Sequence, residues 1–145
     1  MPSINFFEED IHFKLKDKTK VKTWVKATIE AEGYKLQELN YIFCSDEYLL
    51  SINRQYLDHD TYTDIITFDN SDKEKVIEGD IFISIDRIRE NAAKFSTGET
   101  NELHRVVIHG ALHLLGYQDK TAESKKLMTS KEDQYLSVRN FTQGR

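Results

Sequence analysis

Two histidines four residues apart stand in the segment His109-Gly110-Ala111-Leu112-His113-Leu114-Leu115-Gly116-Tyr117-Gln118-Asp119. On a helix, positions i and i+4 share one face, so two imidazoles at this spacing can reach a single cation. Gly116 suits a left-handed turn that ends such a helix. The chain can then double back and bring Asp119 to the same ion. Three protein ligands with one position left for water or substrate is the pattern of catalytic zinc. Zinc lowers the pKa of a bound water toward neutrality and can polarise a phosphoryl or carbonyl oxygen. Both uses point to a metal-dependent hydrolase. The helix of a zinc peptidase, His-Glu-x-x-His, carries its general base directly after the first histidine. Here that position is Gly110, so the ligand spacing is kept and the peptidase base is absent. The competing reading is a pair of surface or hydrogen-bonded rings. Against it stands the apolar helix around them, where an unpartnered ring is costly to bury.

The elements that must hold this segment can be read from periodicity. Leu103, Val106, Val107, Gly110, Ala111 and Leu114 form one face of a helix from about Thr100 to Leu115. Ile108, Leu112 and Leu115 line another side, so the helix should be buried nearly all round. Upstream, Ile4 to Phe7 reads as a strand. Val21, Trp24, Val25, Thr28 and Ile29 follow helical spacing, with Gly33 as a stop. Leu39 to Cys44 reads as a strand. Ser45 or Asp46 can cap a helix carrying Leu49, Ile52 and Tyr56. After a polar loop, Thr63 to Phe68 and Asp80 to Ile85 read as strands. Asp86 can cap a helix bearing Ile88, Ala92 and Phe95. A last helix from about Ala122 to Val138, capped by Thr121, should turn Leu127, Met128, Tyr135 and Val138 inward. The order β-α-β-α-β-β-α-α-α predicts an α/β (α+β) domain spanning 1–145, with a mixed β-sheet packed by helices.

Bulk properties narrow the class. The chain has 145 residues, eight Phe, seven Tyr and one Trp, enough for one core. No apolar run approaches the roughly 20 residues of a membrane span. The first residues, Met1-Pro2-Ser3-Ile4-Asn5, do not read as a signal peptide. The single cysteine, Cys44, excludes an internal disulfide and fits a reducing cytoplasm. It reads as a small buried strand residue, and Trp24 as core. A net charge of −5 argues against indiscriminate nucleic-acid binding. Yet six lysines (14, 16, 18, 20, 22 and 26) and one acid, Asp17, fall between Lys14 and Lys26. That run is either a solvated surface or a local patch that meets phosphates.

The His-Gly-x-Leu-His-Leu-Leu-Gly-Tyr stretch resembles the motif of the YbeY family of endoribonucleases. Two further blocks resemble the family in order. One is Ile52-Asn53-x-x-Tyr56 followed by Asp60-x-x-Thr63-Asp64-Ile65-Ile66-Thr67-Phe68; the other is Gly79 to Ser84. The resemblance implies a mixed sheet around a central metal-bearing helix, similar to a zinc metalloprotease-like fold. It implies a zinc-dependent endonuclease of single-stranded RNA, acting on the 3′ end of small-subunit ribosomal RNA and in ribosome quality control. Ribosomal RNA and the ribosome or its small subunit are the implied partners. The family motif supplies three histidine ligands. The first two carry over to His109 and His113; the third falls on Asp119. An aspartate can ligate zinc, and as a harder ligand it can admit other divalent ions. Lys120 is a poor substitute, its amine being normally protonated.

After the Asn-x-x-Tyr block the family has an arginine, and here that position is Leu57. Arg54 and Arg105 are the candidates to bind a phosphate in its place. Asp64 and Glu102 are candidates to touch the ligating histidines from outside; a loop cap and the helix dipole explain them equally well. His59 could meet RNA or donate a proton, or be plain surface. His12 and His104 have no partner visible in sequence. Three functions compete: a metal-dependent endoribonuclease in ribosomal RNA maturation, a metal-dependent hydrolase of another substrate such as a peptide, and a non-catalytic ribosome-associated factor with a decayed site.

Overall fold

The computed structural model describes residues 2–139 and 141. The elements run β1 (Ser3–Glu9), α1 (Lys18–Ala31), β2 (Lys35–Cys44), α2 (Asp46–Leu57), β3 (Ile65–Asp69), β4 (Val76–Ser84), α3 (Ile85–Lys94), α4 (Glu99–Leu114) and α5 (Ala122–Ser137). This is the order expected from the periodicity. The sheet has the order β1-β2-β4-β3. β1, β2 and β4 are parallel, and β3 pairs antiparallel with β4 at the edge. The sheet is therefore mixed, as a β-α-β crossover followed by a hairpin requires.

Side chains on a strand alternate between faces. Tyr41 and Phe43 of β2 and Ile81 and Ile83 of β4 enter the main core, against α1, α4 and α5. Cys44 and Ile66 face the other way and meet Leu49 and Ile52 of α2. Cys44 is fully buried, and burial pushes its thiol up to about 12, so it is an inert apolar residue. Trp24 is also core. Its indole N–H donates to the Tyr135 carbonyl at 2.8 Å and ties α5 to α1. The buried Tyr41 hydroxyl donates to the Val107 carbonyl at 2.9 Å and ties β2 to α4. A buried polar group without such a partner would cost free energy.

α4 is the hub, packed on β3, β4, α1, α3 and α5. Its close approach to the sheet depends on Gly110. A Cβ there would lie 2.9 Å from Ile81 Cγ2 and 3.0 Å from Ile65 Cδ1.

Several local expectations are corrected. β2 starts at Lys35 and β4 at Val76, earlier than their apolar runs suggest. Parallel pairing of Lys35 with Val76 recruits polar residues into the ladder. Ser84, not Asp86, caps α3: its hydroxyl accepts from Arg87 N. Asp86 instead accepts from the backbone N–H of Asp46. On α5, Met128 and Tyr135 turn inward, but Leu127 is 50% and Val138 62% exposed. Glu132 and Leu136 take the buried stripe instead. Phe95 of the α3 cap and Tyr56 of α2 are also exposed. Among the described residues no helix is long and apolar enough to cross a membrane.

Candidate metal centre

His109 and His113 sit one turn apart near the end of α4 with ring centroids 4.6 Å apart. The helix ends at Leu114 and is capped by Leu115. Gly116, at φ +104, sends its N–H to the His113 carbonyl, and Tyr117 N–H returns to the Leu112 carbonyl. This paired closure is a Schellman turn, and it needs a residue at positive φ. The hydroxyl of Tyr34 donates to the Leu115 carbonyl at 3.1 Å. Tyr117 donates its own hydroxyl to Glu32 at the end of α1, at 2.6 Å. On the far side, Thr121 and Ser124 form a capping box that starts α5. Asp119 therefore hangs between two anchored points, and its direction is set.

That direction is back to the histidines. Asp119 Oδ2 lies 3.3 Å from Nε2 of His109 and 3.3 Å from Nε2 of His113. Three ligand atoms, one from each residue, lie within 4.8 Å of one another. Zinc–nitrogen bonds of about 2.0–2.1 Å at tetrahedral angles place neighbouring ligands about 3.3–3.4 Å apart. The two nitrogen–oxygen edges match that spacing. The histidine side chains are 18% and 26% exposed and Asp119 39%, so the group opens to solvent on one side. The donor set thus fits a divalent ion with room for a further ligand.

One residue at this centre was not anticipated from sequence. Glu132 of α5 is only 6% exposed, and its Oε2 lies 2.6 Å from His109 Nδ1. Its other oxygen accepts from Arg105 at 2.8 Å. The signal for it was a charged residue on the inward stripe of α5, between Met128 and Tyr135. Such a residue is almost never fully buried without a partner. Burial pulls the His109 pKa down, but the Glu132 hydrogen bond and the Glu132 and Asp119 charges outweigh it, and the net shift is upward.

The remaining candidates are dispersed. Arg105 donates to both Glu132 and Asp133, at 2.8 and 2.7 Å, so its fork is filled by carboxylates. Arg54 is exposed and paired with Asp60 in the loop after α2. Leu57 ends α2 and is 41% exposed. Asn53 holds the same loop through the Thr61 carbonyl, at 2.8 Å. Asp64 lies near both His109 and Glu102 in charge terms, and burial raises the Glu102 carboxyl above its ordinary range. His59 is exposed in the loop; its N–H donates to the Asn53 carbonyl. His12 is exposed, whereas His104 is buried against Trp24 with its Nδ1 2.8 Å from Arg139. The position after His109, Gly110, faces Ile81 and Ile65 rather than the ligand group.

A family model described as Endoribonuclease YbeY matches residues 3–140. Curated relatives with the same description include one from Cytophaga hutchinsonii, 55% identical over 96% of this chain and 97% of the relative. Another, from Flavobacterium psychrophilum, is 49% identical over 91% of this chain and 94% of its own. The solution structure of TM1509 from Thermotoga maritima superposes with a TM-score of 0.66 at 27% identity, covering 93% of this chain and 87% of that one. With the family motif borne by the ligand helix itself, this chain belongs to the YbeY endoribonuclease family.

Proposed function

We propose that this chain is a metal-dependent endoribonuclease of single-stranded RNA that acts in ribosomal RNA maturation, at the 3′ end of the small-subunit RNA. The carrying observation is the convergence of two imidazole nitrogens and one carboxylate oxygen at ligand spacing. His109, His113 and Asp119 would hold one ion, zinc in this reading, with other divalent ions admitted by the carboxylate. When bound, such an ion supplies Lewis acidity and a nucleophile at neutral pH. The chain's residues do the rest. Glu132 accepts the hydrogen bond from His109 Nδ1–H and so presents the Nε2 lone pair to the centre. Arg105 holds Glu132 in place. Of the two arginines, Arg54 has the pair that a phosphate would more readily displace. Its exposed pair with Asp60 has little net strength and can be exchanged. The whole chain, 1–145, is read as one cytoplasmic domain that meets the ribosome or its small subunit.

Gly110 disfavours the peptidase alternative. A glutamate there would be driven into Ile81 and Ile65, not toward a substrate. Leu57, where the resemblance implies an arginine, and the filled fork of Arg105 favour a second reading, a non-catalytic ribosome-associated factor. Metal analysis of the purified protein and of Asp119→Ala, with cleavage of single-stranded RNA measured before and after chelation, tests these. The expected result is bound metal in the wild type, its loss in the variant, and cleavage abolished by chelator and restored by zinc. Cleavage that survives in His109→Ala would overturn the assignment of activity to this centre. Bound metal without cleavage would favour the non-catalytic factor.

A further inference from the structure

A cavity of about 300 Å³ lies at the amino end of α4, away from the metal centre and beyond the carboxyl ends of β1 and β4. In sheets with parallel strands, ligands collect at that end. The connection from β1 to α1 forms one wall, and the first turns of α3 and α4 form the others. The floor is apolar. Leu15, Ile85, Ile88 and Leu103 are 4%, 1%, 2% and 6% exposed. Phe13 joins them, edge-on to Phe43 at 5.1 Å. The mouth is cationic. Lys14 and Lys16 are exposed on one side and Arg89 on the other.

Other cations of the chain contrast with these. Arg54, Arg105 and Lys131 are each matched by a carboxylate. Among the described residues, Lys14, Lys16 and Arg89 enter no ion pair. The lysine run continues along α1, where the Lys22 ammonium stands 5.9 Å over the ring of Phe6. An apolar cleft beside a cationic track is the arrangement that takes an unstacked base and its flanking phosphates. Asp17 and Glu99 also line the cleft. Carboxylates can accept from the amino groups of a base.

We propose that this cavity seats one base of a single-stranded RNA, with the neighbouring phosphates on Lys14, Lys16 and Arg89 and the strand continuing over Lys18 and Lys22. The inference rests on the RNA reading given above and adds a second contact for the same substrate. Leu103 lies six residues before His109, about 9 Å along the axis of α4. A bound strand can therefore touch both the cavity and the ligand helix.

The experiment measures binding alone, on 2′-O-methyl RNA of about twelve nucleotides, which resists cleavage. Lys14→Glu with Lys16→Glu, and Arg89→Glu separately, are compared with Lys73→Glu, an exposed lysine between β3 and β4. All four changed residues are exposed, and thermal melting checks that the variants fold. The expected result is a Kd at least about tenfold weaker for the double variant, with the slope of log K against log salt reduced by about 1.4. Arg89→Glu should weaken binding in the same direction, and Lys73→Glu should match the wild type. An unlabelled RNA of the same length should displace the probe, and inorganic polyphosphate of equal charge should do so poorly. Equal Kd values for the double variant and Lys73→Glu overturn the proposal, as does equal displacement by polyphosphate. The readout needs no metal and no turnover. Loss of the nuclease activity would leave it standing, and its failure would leave the nuclease reading untouched.

Discussion

A neutral imidazole offers one lone pair, and the nitrogen that offers it is decided by where the proton on the other goes. At His109 the Nδ1–H donates to Glu132 at 2.6 Å, leaving the Nε2 lone pair aimed toward Asp119 and His113. Replacing Glu132 by Gln should lower metal affinity by about 10–100-fold, read by competition with a chromophoric chelator. An unchanged affinity would show that packing alone orients the ring. Asp119→His exchanges an oxygen ligand for nitrogen, so the ratio of zinc to manganese affinity should rise; parallel titrations with the two ions check this. The convergence of His109, His113 and Asp119 was legible in sequence because they lie within one short segment, where helical spacing and a glycine turn dictate who meets whom. Glu132 was not. It reaches His109 from another helix, and only the packing of α5 on α4 brings the two together.

The packing of α4 on the sheet is set by what position 110 lacks. Gly110→Ala would gain about 1 kcal/mol of intrinsic helix propensity. It would also force Cβ to within 2.9 Å of Ile81, an overpacking cost of about 1–3 kcal/mol. The net expectation is a loss of about 1 kcal/mol, measured by denaturant unfolding. A stability gain would mean that the two isoleucines yield freely. Helix positions in this chain were readable because one apolar face repeats over several turns, and the capping residues Ser45 and Thr121 fell where expected. Strand ends were less so. The first residues of β2 and β4 are polar and join the sheet only because each finds the other across a parallel ladder, which neither segment announces alone. Strand order had the same difficulty. On α5, the inward stripe was misjudged at Leu127 and Val138 because Glu132, a charged residue, occupies it.

At the scale of the molecule, Glu32 ties three helices together. It accepts from Tyr117 after α4 at 2.6 Å, from Lys131 at 3.2 Å and from Tyr135. Burial raises its pKa, but the three hydrogen bonds outweigh it and hold the carboxyl below its usual range. A carboxyl depressed on folding stabilises the native state above its unfolded pKa of about 4.3, and that contribution fades as pH falls through the folded value. Glu32→Gln should therefore cost about 2 kcal/mol at pH 7, and the gap to the wild type should shrink once pH drops below about 4. Urea melts across that range decide it; a gap that stays constant with pH would remove the charge from the explanation. The chain's layout has a temporal consequence. All four strands are complete by Ser84, and the candidate ligands begin only at His109. A nascent chain emerging from its amino end has been synthesised through its last strand before an ion would have anything to hold. An ion held by these three residues would be taken up late and would tie the end of α4 to the turn that precedes α5. Amide exchange after stripping with a chelator should accelerate from Tyr117 to Tyr135 while β2 and β4 keep their protection.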